Sequence, residues 1–276
     1  MVATASDIRP SPLAGQWYPA RADALTAMLD GFLAQVQPRT LDGELLGLVS
    51  PHAGLRYSGP VAAHAYALLK GLAFDTVVVV GPMHHPIPGA TLTSGHSDYQ
   101  TPLGTVPIDR EMVEHIGKHV PLTAIRNDPE HSVEIELPFL QHILAPGFTL
   151  VPLMLRDQSS ENAKLLGAAL VDALQDRRAL LVASSDLSHF YPQDTAHSLD
   201  KLMLDRVAAL DAQGVVDHND ARTAFACGYG AIAAVLTTLH AWGTQHAEIV
   251  GYGTSGDVTG DFGQVVGYGA AAFWRT

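Results

Sequence analysis

The sequence holds a single cysteine, Cys227, among 276 residues. An intrachain disulfide is therefore impossible, which removes the staple of small secreted domains and makes a reducing, cytoplasmic setting the expectation. Charge is also scarce, with Asp, Glu, Lys and Arg together only 16% of the chain. Positive charge is scarcest: sixteen Lys and Arg face twenty-eight Asp and Glu, a formal net charge of −12. Nucleic-acid affinity rests on neutralising phosphates, so this balance argues against a nucleic-acid partner. Long apolar runs are missing as well. Val77–Val80 and Leu180–Ala183 are strand-length, far short of the roughly 18–20 residues that cross a bilayer, so no membrane role is expected. Met1–Pro12 is polar and broken by proline, without the basic start and apolar core of a secretory signal.

What is present is a large apolar fraction, 47%, enough for a substantial core. Short β-branched or aliphatic runs alternate with helical patterns, the signature of an α/β fold. Strands are predicted at Leu45–Ser50, Thr76–Gly81, Thr149–Leu155, Ala179–Ser184, Glu248–Thr254 and Gln264–Phe273. Helices are predicted at Asp23–Val36, Gly59–Leu69, Asp109–His115, Val133–Leu144, Ser160–Leu174, Thr195–Leu210 and Gly230–Trp242. With no linker, charge run or internal repeat to divide the chain, the expectation is one domain over residues 1–276, built on a central mixed, mainly parallel sheet flanked by helices.

Fourteen histidines nearly equal the Lys and Arg together, and their placement carries the functional argument. Three predicted strands run into polar, histidine-bearing segments: Pro51-His52-Ala53-Gly54, Gly81-Pro82-Met83-His84-His85 and Ser184-Ser185-Asp186-Leu187-Ser188-His189. In open α/β sheets the carboxyl ends of strands line the ligand crevice, so these three segments can converge on one site. One histidine after a strand is ordinarily a turn or capping residue; three in equivalent positions point to a shared centre. Imidazole is the commonest metal ligand, which makes His52 and His84 the first two candidates. Adjacent side chains in an extended segment diverge, so His85 falls outside the ligand set, against the metal's outer surroundings or the substrate.

Cys227 precedes the apolar helix Ala231–Leu239. A helix N-terminus lowers a thiol's pKa and favours the thiolate that metals bind, while a lone cysteine among alanines and glycines equally suits a small buried hydrophobe. Asp186 and His189, three residues apart after a buried strand, have the composition of an acid/base pair; the alternative is a helix cap. In Glu130-His131-Ser132-Val133-Glu134 the serine is expected to cap a helix with Glu134 and Glu136 near its positive end, which leaves His131 for a substrate-positioning or structural hydrogen bond. Gly251–Asp257 is glycine-rich but matches neither a P-loop nor G-x-G-x-x-G, so nucleotide binding is not expected. The absence of a G-x-S-x-G elbow leaves a hydrolase only Ser185 and Ser188 near an acid and a histidine.

In order along the chain, Ala14-Gly15-Gln16-Trp17-Tyr18-Pro19, Pro51–Gly59, Gly81–His85, Thr101-Pro102-Leu103-Gly104, Glu130–Glu134, Ser184–His189 and Cys227-Gly228 resemble the MEMO family of the AmmeMemoRadiSam system. That family is related to the LigB-like class III extradiol dioxygenases, which hold non-haem Fe(II) with two histidines and a carboxylate. The resemblance implies a LigB-like fold and a mononuclear metal on His52, His84 and Cys227. Asp186 and His189 would lie beside it as catalytic groups, with His85, His131 and Tyr57 around them. Cys227 stands where the dioxygenases have a carboxylate, and a softer thiolate admits copper or zinc beside Fe(II). The implied function is a metal-dependent oxidoreductase acting on a small organic substrate, with AMMECR1-like and radical-SAM proteins as functional partners by family context. The alternatives are a binding protein that holds metal or peptide without turnover, touching its ligand through Trp17, Tyr18 and Tyr57, and a metal-dependent hydrolase.

Overall fold

The computed structural model describes residues 7–276; Met1–Ser6, the first half of the polar segment Met1–Pro12, lie outside the described residues. The chain begins with β1 (Ile8–Arg9), α1 (Ala22–Leu33), β2 (Glu44–Ser50), α2 (Leu55–Tyr66) and β3 (Thr76–Pro82). It continues through β4 (Thr91–Ser94), β5 (Asp98–Thr101), β6 (Gly104–Pro107), α3 (Arg110–Ile116), β7 (Leu122–Ile125), α4 (Leu137–Ile143), β8 (Thr149–Leu155) and α5 (Ser160–Ala173). The final third holds β9 (Ala179–Ser184), β10 (His189–Tyr191), α6 (Gln193–Ala208), α7 (Ala212–Asp220), α8 (Tyr229–Ala241), β11 (His246–Thr254), α9 (Gly256–Thr259) and β12 (Val265–Arg275).

Nine strands form one mixed sheet in the order β10-β12-β2-β9-β3-β8-β4-β7, with β11 also paired to β12. Its centre, β2-β9-β3-β8, is parallel, and β12 and β4 border it antiparallel. Val77, Val78, Val79 and Val80 are all buried, as are Leu180–Ala183. These continuous apolar runs, without period-two alternation, are what a strand covered on both faces requires. The helices supply the cover: α1 presents Leu25 and Leu29 to the core, and α8 buries Ile232, Val235, Leu236 and Leu239 against β3, β9 and α5. The α/β class and the mixed, mainly parallel sheet with flanking helices agree with the sequence reading.

Three local differences affect the site. Helix α2 starts at Leu55, four residues before its predicted start, and carries Pro60 inside; the turn after β2 is correspondingly short and brings His52 close to the strand end. The predicted helix Val133–Leu144 opens as a 3-10 turn at Glu134–Glu136 before α4. No side chain caps either piece, because the Ser132 hydroxyl is committed elsewhere. The short strands β1, β5 and β6 form a separate three-stranded sheet, too brief and polar to show a period in the sequence. No helix among the described residues is long and apolar enough to cross a membrane.

Candidate metal centre

Strand order and register assemble the centre. β9 lies between β2 and β3, with Ser184 opposite Ser50 and Ala183 opposite Val80. His52, two residues past β2, and His84, two past β3, therefore flank the end of β9. His52 is buried, and its Nδ1 lies 2.9 Å from Ser184 Oγ. That hydroxyl donates its one proton to the Ser132 carbonyl at 2.6 Å, so it accepts from His52 Nδ1–H. The unprotonated nitrogen of His52 is then Nε2.

A third segment, Asp128–Glu134, is laced across these strand ends. Ser132 Oγ donates to the Pro82 carbonyl at 2.8 Å. The approach is so close that a Cβ on Gly81 would stand 2.5 Å from that hydroxyl oxygen, so only glycine fits there. Buried Arg9 holds the segment from the other side: it pairs with Asp128 at 2.6 Å and with Glu134, and donates to the Glu130 carbonyl at 2.7 Å. Tyr18, buried, donates to Glu134 at 2.6 Å, which places it in this framework.

Glu130 is the hub. Its carboxylate accepts from His84 N at 2.6 Å, His84 Nδ1 at 2.9 Å, His131 N at 2.9 Å and Ser132 N at 3.0 Å. Burial alone would raise its pKa, but the His84 hydrogen bond and the neighbouring His131 outweigh burial and hold it well below the usual carboxylate range. An ionised Glu130 fixes the proton of His84 on Nδ1 and frees Nε2. His131 Nδ1 stands 3.2 Å from the same carboxylate oxygen. This role leaves no trace in the sequence pattern, where only Glu134 and Glu136 of this stretch read as helix-terminus charges.

The outcome is three imidazoles, His52, His84 and His131, each with a potential ligand atom within 4.8 Å of the others. His84 stacks on His131 at 4.5 Å between centroids, and His52 meets both edge-on at 5.3 and 5.2 Å. Burial and the neighbouring imidazoles push the pKa of His52 down, and burial above all takes His131 to about 4. Neutral imidazoles with a free nitrogen are the form that binds metal, so this donor set fits a transition-metal ion.

Cys227 stands beside this group, its Sγ 3.0 Å from His52 Nε2 and accepting from Asp186 N at 3.2 Å. Burial and the Asp186 charge push the thiol pKa well up, outweighing the helix-terminus effect expected from the sequence. The group is a thiol until a cation takes its proton's place. Gly228 permits the approach: a Cβ there would stand 2.6 Å from the Ser184 carbonyl. Asp186 accepts from His52 N at 2.7 Å and so anchors the turn that carries this histidine. Burial raises its pKa to about 7.

These groups face a cavity of about 590 Å³ lined by Trp17, Arg56, Tyr57, His52, His84, His131, Asp186 and His189, among others. His189 donates through Nδ1 to the Leu187 carbonyl at 2.8 Å, which leaves Nε2 free, and burial lowers its pKa. Trp17 packs on His131 at 4.4 Å between centroids. His189 also lines a smaller hollow of about 350 Å³ with Tyr191, Phe225, Tyr229 and Cys227, and Cys227 lines only this smaller one. His85 lines neither hollow. A larger hollow of about 640 Å³ is lined by Leu33, Leu68 and Ile143; it holds no comparable group of metal-ligating side chains, so volume does not pick the site.

Fold and site together define an α/β protein with a histidine-rich, metal-capable centre at the carboxyl ends of its parallel strands. The description of the family whose model matches residues 9–272 is Memo-like protein. A MEMO1 family protein of Methanopyrus kandleri is 37% identical over 97% of this chain and 99% of its own length. One from Nitrosopumilus maritimus is 34% identical over 96% of this chain and 99% of its own. The chain belongs to the MEMO family. Its fold is also that of an uncharacterized protein from Escherichia coli K12, whose crystal structure superposes with a TM-score of 0.52 at 16% identity, over 84% of this chain and all of the other.

Proposed function

We propose that this MEMO-family chain is a mononuclear metal-dependent oxidoreductase acting on a small organic molecule in the 590 Å³ cavity. The observation that carries this reading is the group of three imidazoles, two of them with the tautomer set by Ser184 and Glu130, opening onto that cavity. His52 and His84 would hold the ion, with Cys227 or His131 as the third donor. The resemblance to the iron dioxygenases puts Fe(II) first, while a nitrogen-rich set with thiolate available suits copper next and admits zinc. Iron or copper held there would supply one-electron chemistry and a Lewis-acidic coordination position, and zinc only the latter.

The chain's own residues do the remainder. His189, neutral and with Nε2 free, is the base that takes a proton from the substrate. Asp186 sits near its midpoint at neutral pH and holds the His52 turn in place in either protonation state. Trp17 and Tyr57 form apolar walls. Arg56, with no ion-pair partner among the described residues, is positioned to attract an anionic substituent. AMMECR1-like and radical-SAM proteins as functional partners belong to the same proposal through family context.

Metal analysis of protein prepared without oxygen tests the reading. Near-stoichiometric iron or copper, with oxygen or reductant consumption abolished in His84→Ala, is the expected result. Metal-free protein that takes up neither Fe(II) nor Cu(I) overturns it. Full turnover without any redox change moves the assignment to a hydrolase.

A further inference from the structure

A second group of metal-type donors lies away from the cavity. His115 is in the last turn of α3, and the backbone beyond keeps turning, with His119 N bonded to Ile116 O at 3.0 Å. Residues four apart on such a coil share a face, so both rings project the same way, 5.7 Å apart. Asp172, near the end of α5, meets them: its Oδ2 lies 2.8 Å from His115 Nε2 and 3.4 Å from His119 Nε2. All three donor atoms lie within 4.8 Å of one another.

These separations can be compared with what an ion needs. Ligand atoms about 2.0–2.1 Å from a tetrahedral Zn²⁺ stand roughly 3.3 Å from each other. Of the three edges, His119–Asp172 already has that length, His115–Asp172 needs to open by about half an ångström once its hydrogen bond gives way to the cation, and His115–His119 lies within 4.8 Å. The side chains are 41%, 48% and 54% exposed, so water reaches the group to complete a coordination shell. Glu111, one turn before His115 on the same helix, lines the adjoining hollow and brings a further carboxylate. A plain ion pair at this exposure contributes little, which does not account for two imidazoles meeting one carboxylate oxygen.

We propose that His115, His119 and Asp172 form a second, surface site for a borderline divalent transition cation, with Zn²⁺ as its representative. Two imidazoles and one carboxylate suit such an ion far better than Mg²⁺ or Ca²⁺, which favour oxygen ligands. Bound there, the cation ties the end of α3, and with it the lead into β7, to α5. The site is independent of the cavity centre: its donors come from different elements, and none belongs to the buried group.

Calorimetric titration with Zn²⁺ tests it on the full chain. Wild type should take two equivalents, while H119A and D172N should take one, with affinity at the second site falling by roughly tenfold or more. Because the exposed substitutions bury nothing, these variants should fold normally. The variant H84A, damaged in the cavity, should keep the surface event and gain thermal stability with rising Zn²⁺, a gain absent from H84A/H119A. Identical titrations of wild type and H119A overturn the proposal. So does loss of the weaker event in H84A, which would assign it to the cavity.

Discussion

The two histidine groups use the same donors in opposite settings. In the cavity, the carboxylate of Glu130 stands behind the imidazoles and sets their tautomers, and is itself held by backbone N–H groups and by Arg9 at its carbonyl. On the surface, the carboxylate of Asp172 is one of the donors, with nothing but His115 and His119 against it. His115 and Glu130 both belong to close His–carboxylate pairs, yet only the pair at Glu130 is built into the core. The difference teaches that proximity makes a binding group and the surrounding framework makes a preorganised one.

The framework can be broken directly. Replacing Arg9 by Met leaves Asp128 and Glu134 buried without their cation, a loss expected to cost about 3–5 kcal/mol of stability. The partner change, Asp172→Asn, removes a half-exposed carboxylate and should leave the urea midpoint of the metal-free protein within error of wild type. Denaturation of both variants checks the contrast. Equal effects would show that the cavity group is no more embedded than the surface one.

A subtler change retains the fold and targets orientation. Glu130→Gln keeps the shape but replaces an acceptor that fixes the His84 proton, so metal affinity at the cavity should fall roughly 10–100-fold. Competition with a chelator measures this. The same substitution should not move the Zn²⁺ affinity of the surface group, and a shift there would mean that the two are coupled through the sheet.

The central strands were legible because burial on both faces writes an uninterrupted apolar run, as in Val77–Val80. His52 and His84 were legible because both follow such runs. His131 was legible only as a histidine without a structural duty, since it arrives on a loop whose path across the strand ends depends on contacts remote in sequence: Arg9 with Asp128, and Ser132 with Pro82. Glu130 was hidden for a related reason. Nothing local sets it apart from the acids of the helix that follows, and only the fold reveals that its hydrogen bonds run to His84, 46 residues away. Nothing in the sequence singles out His115, at the end of the predicted helix Asp109–His115, or His119 beyond it, because their carboxylate partner lies 57 residues beyond His115.

A further contrast concerns the carboxyls in the two settings. Glu136, fully enclosed beneath the cavity, accepts from Tyr66 OH at 2.6 Å and has one oxygen without a partner. Burial raises its pKa from 4.5 to about 7, against the hydrogen bonds that lower it. Asp172 shows the reverse, lowered chiefly by its hydrogen bond to His115. For Glu136 the folded value exceeds the unfolded one, so its contribution to stability is complete below pH 4.5 and is lost as pH rises through about 7. Glu136→Gln cannot ionise. Its stability relative to wild type should therefore climb between pH 5 and 8, whether or not it begins lower at pH 5 because Gln replaces the acid imperfectly. Paired urea midpoints across that range measure the slope, and a difference that does not change with pH would mean that Glu136 is ionised in the folded chain.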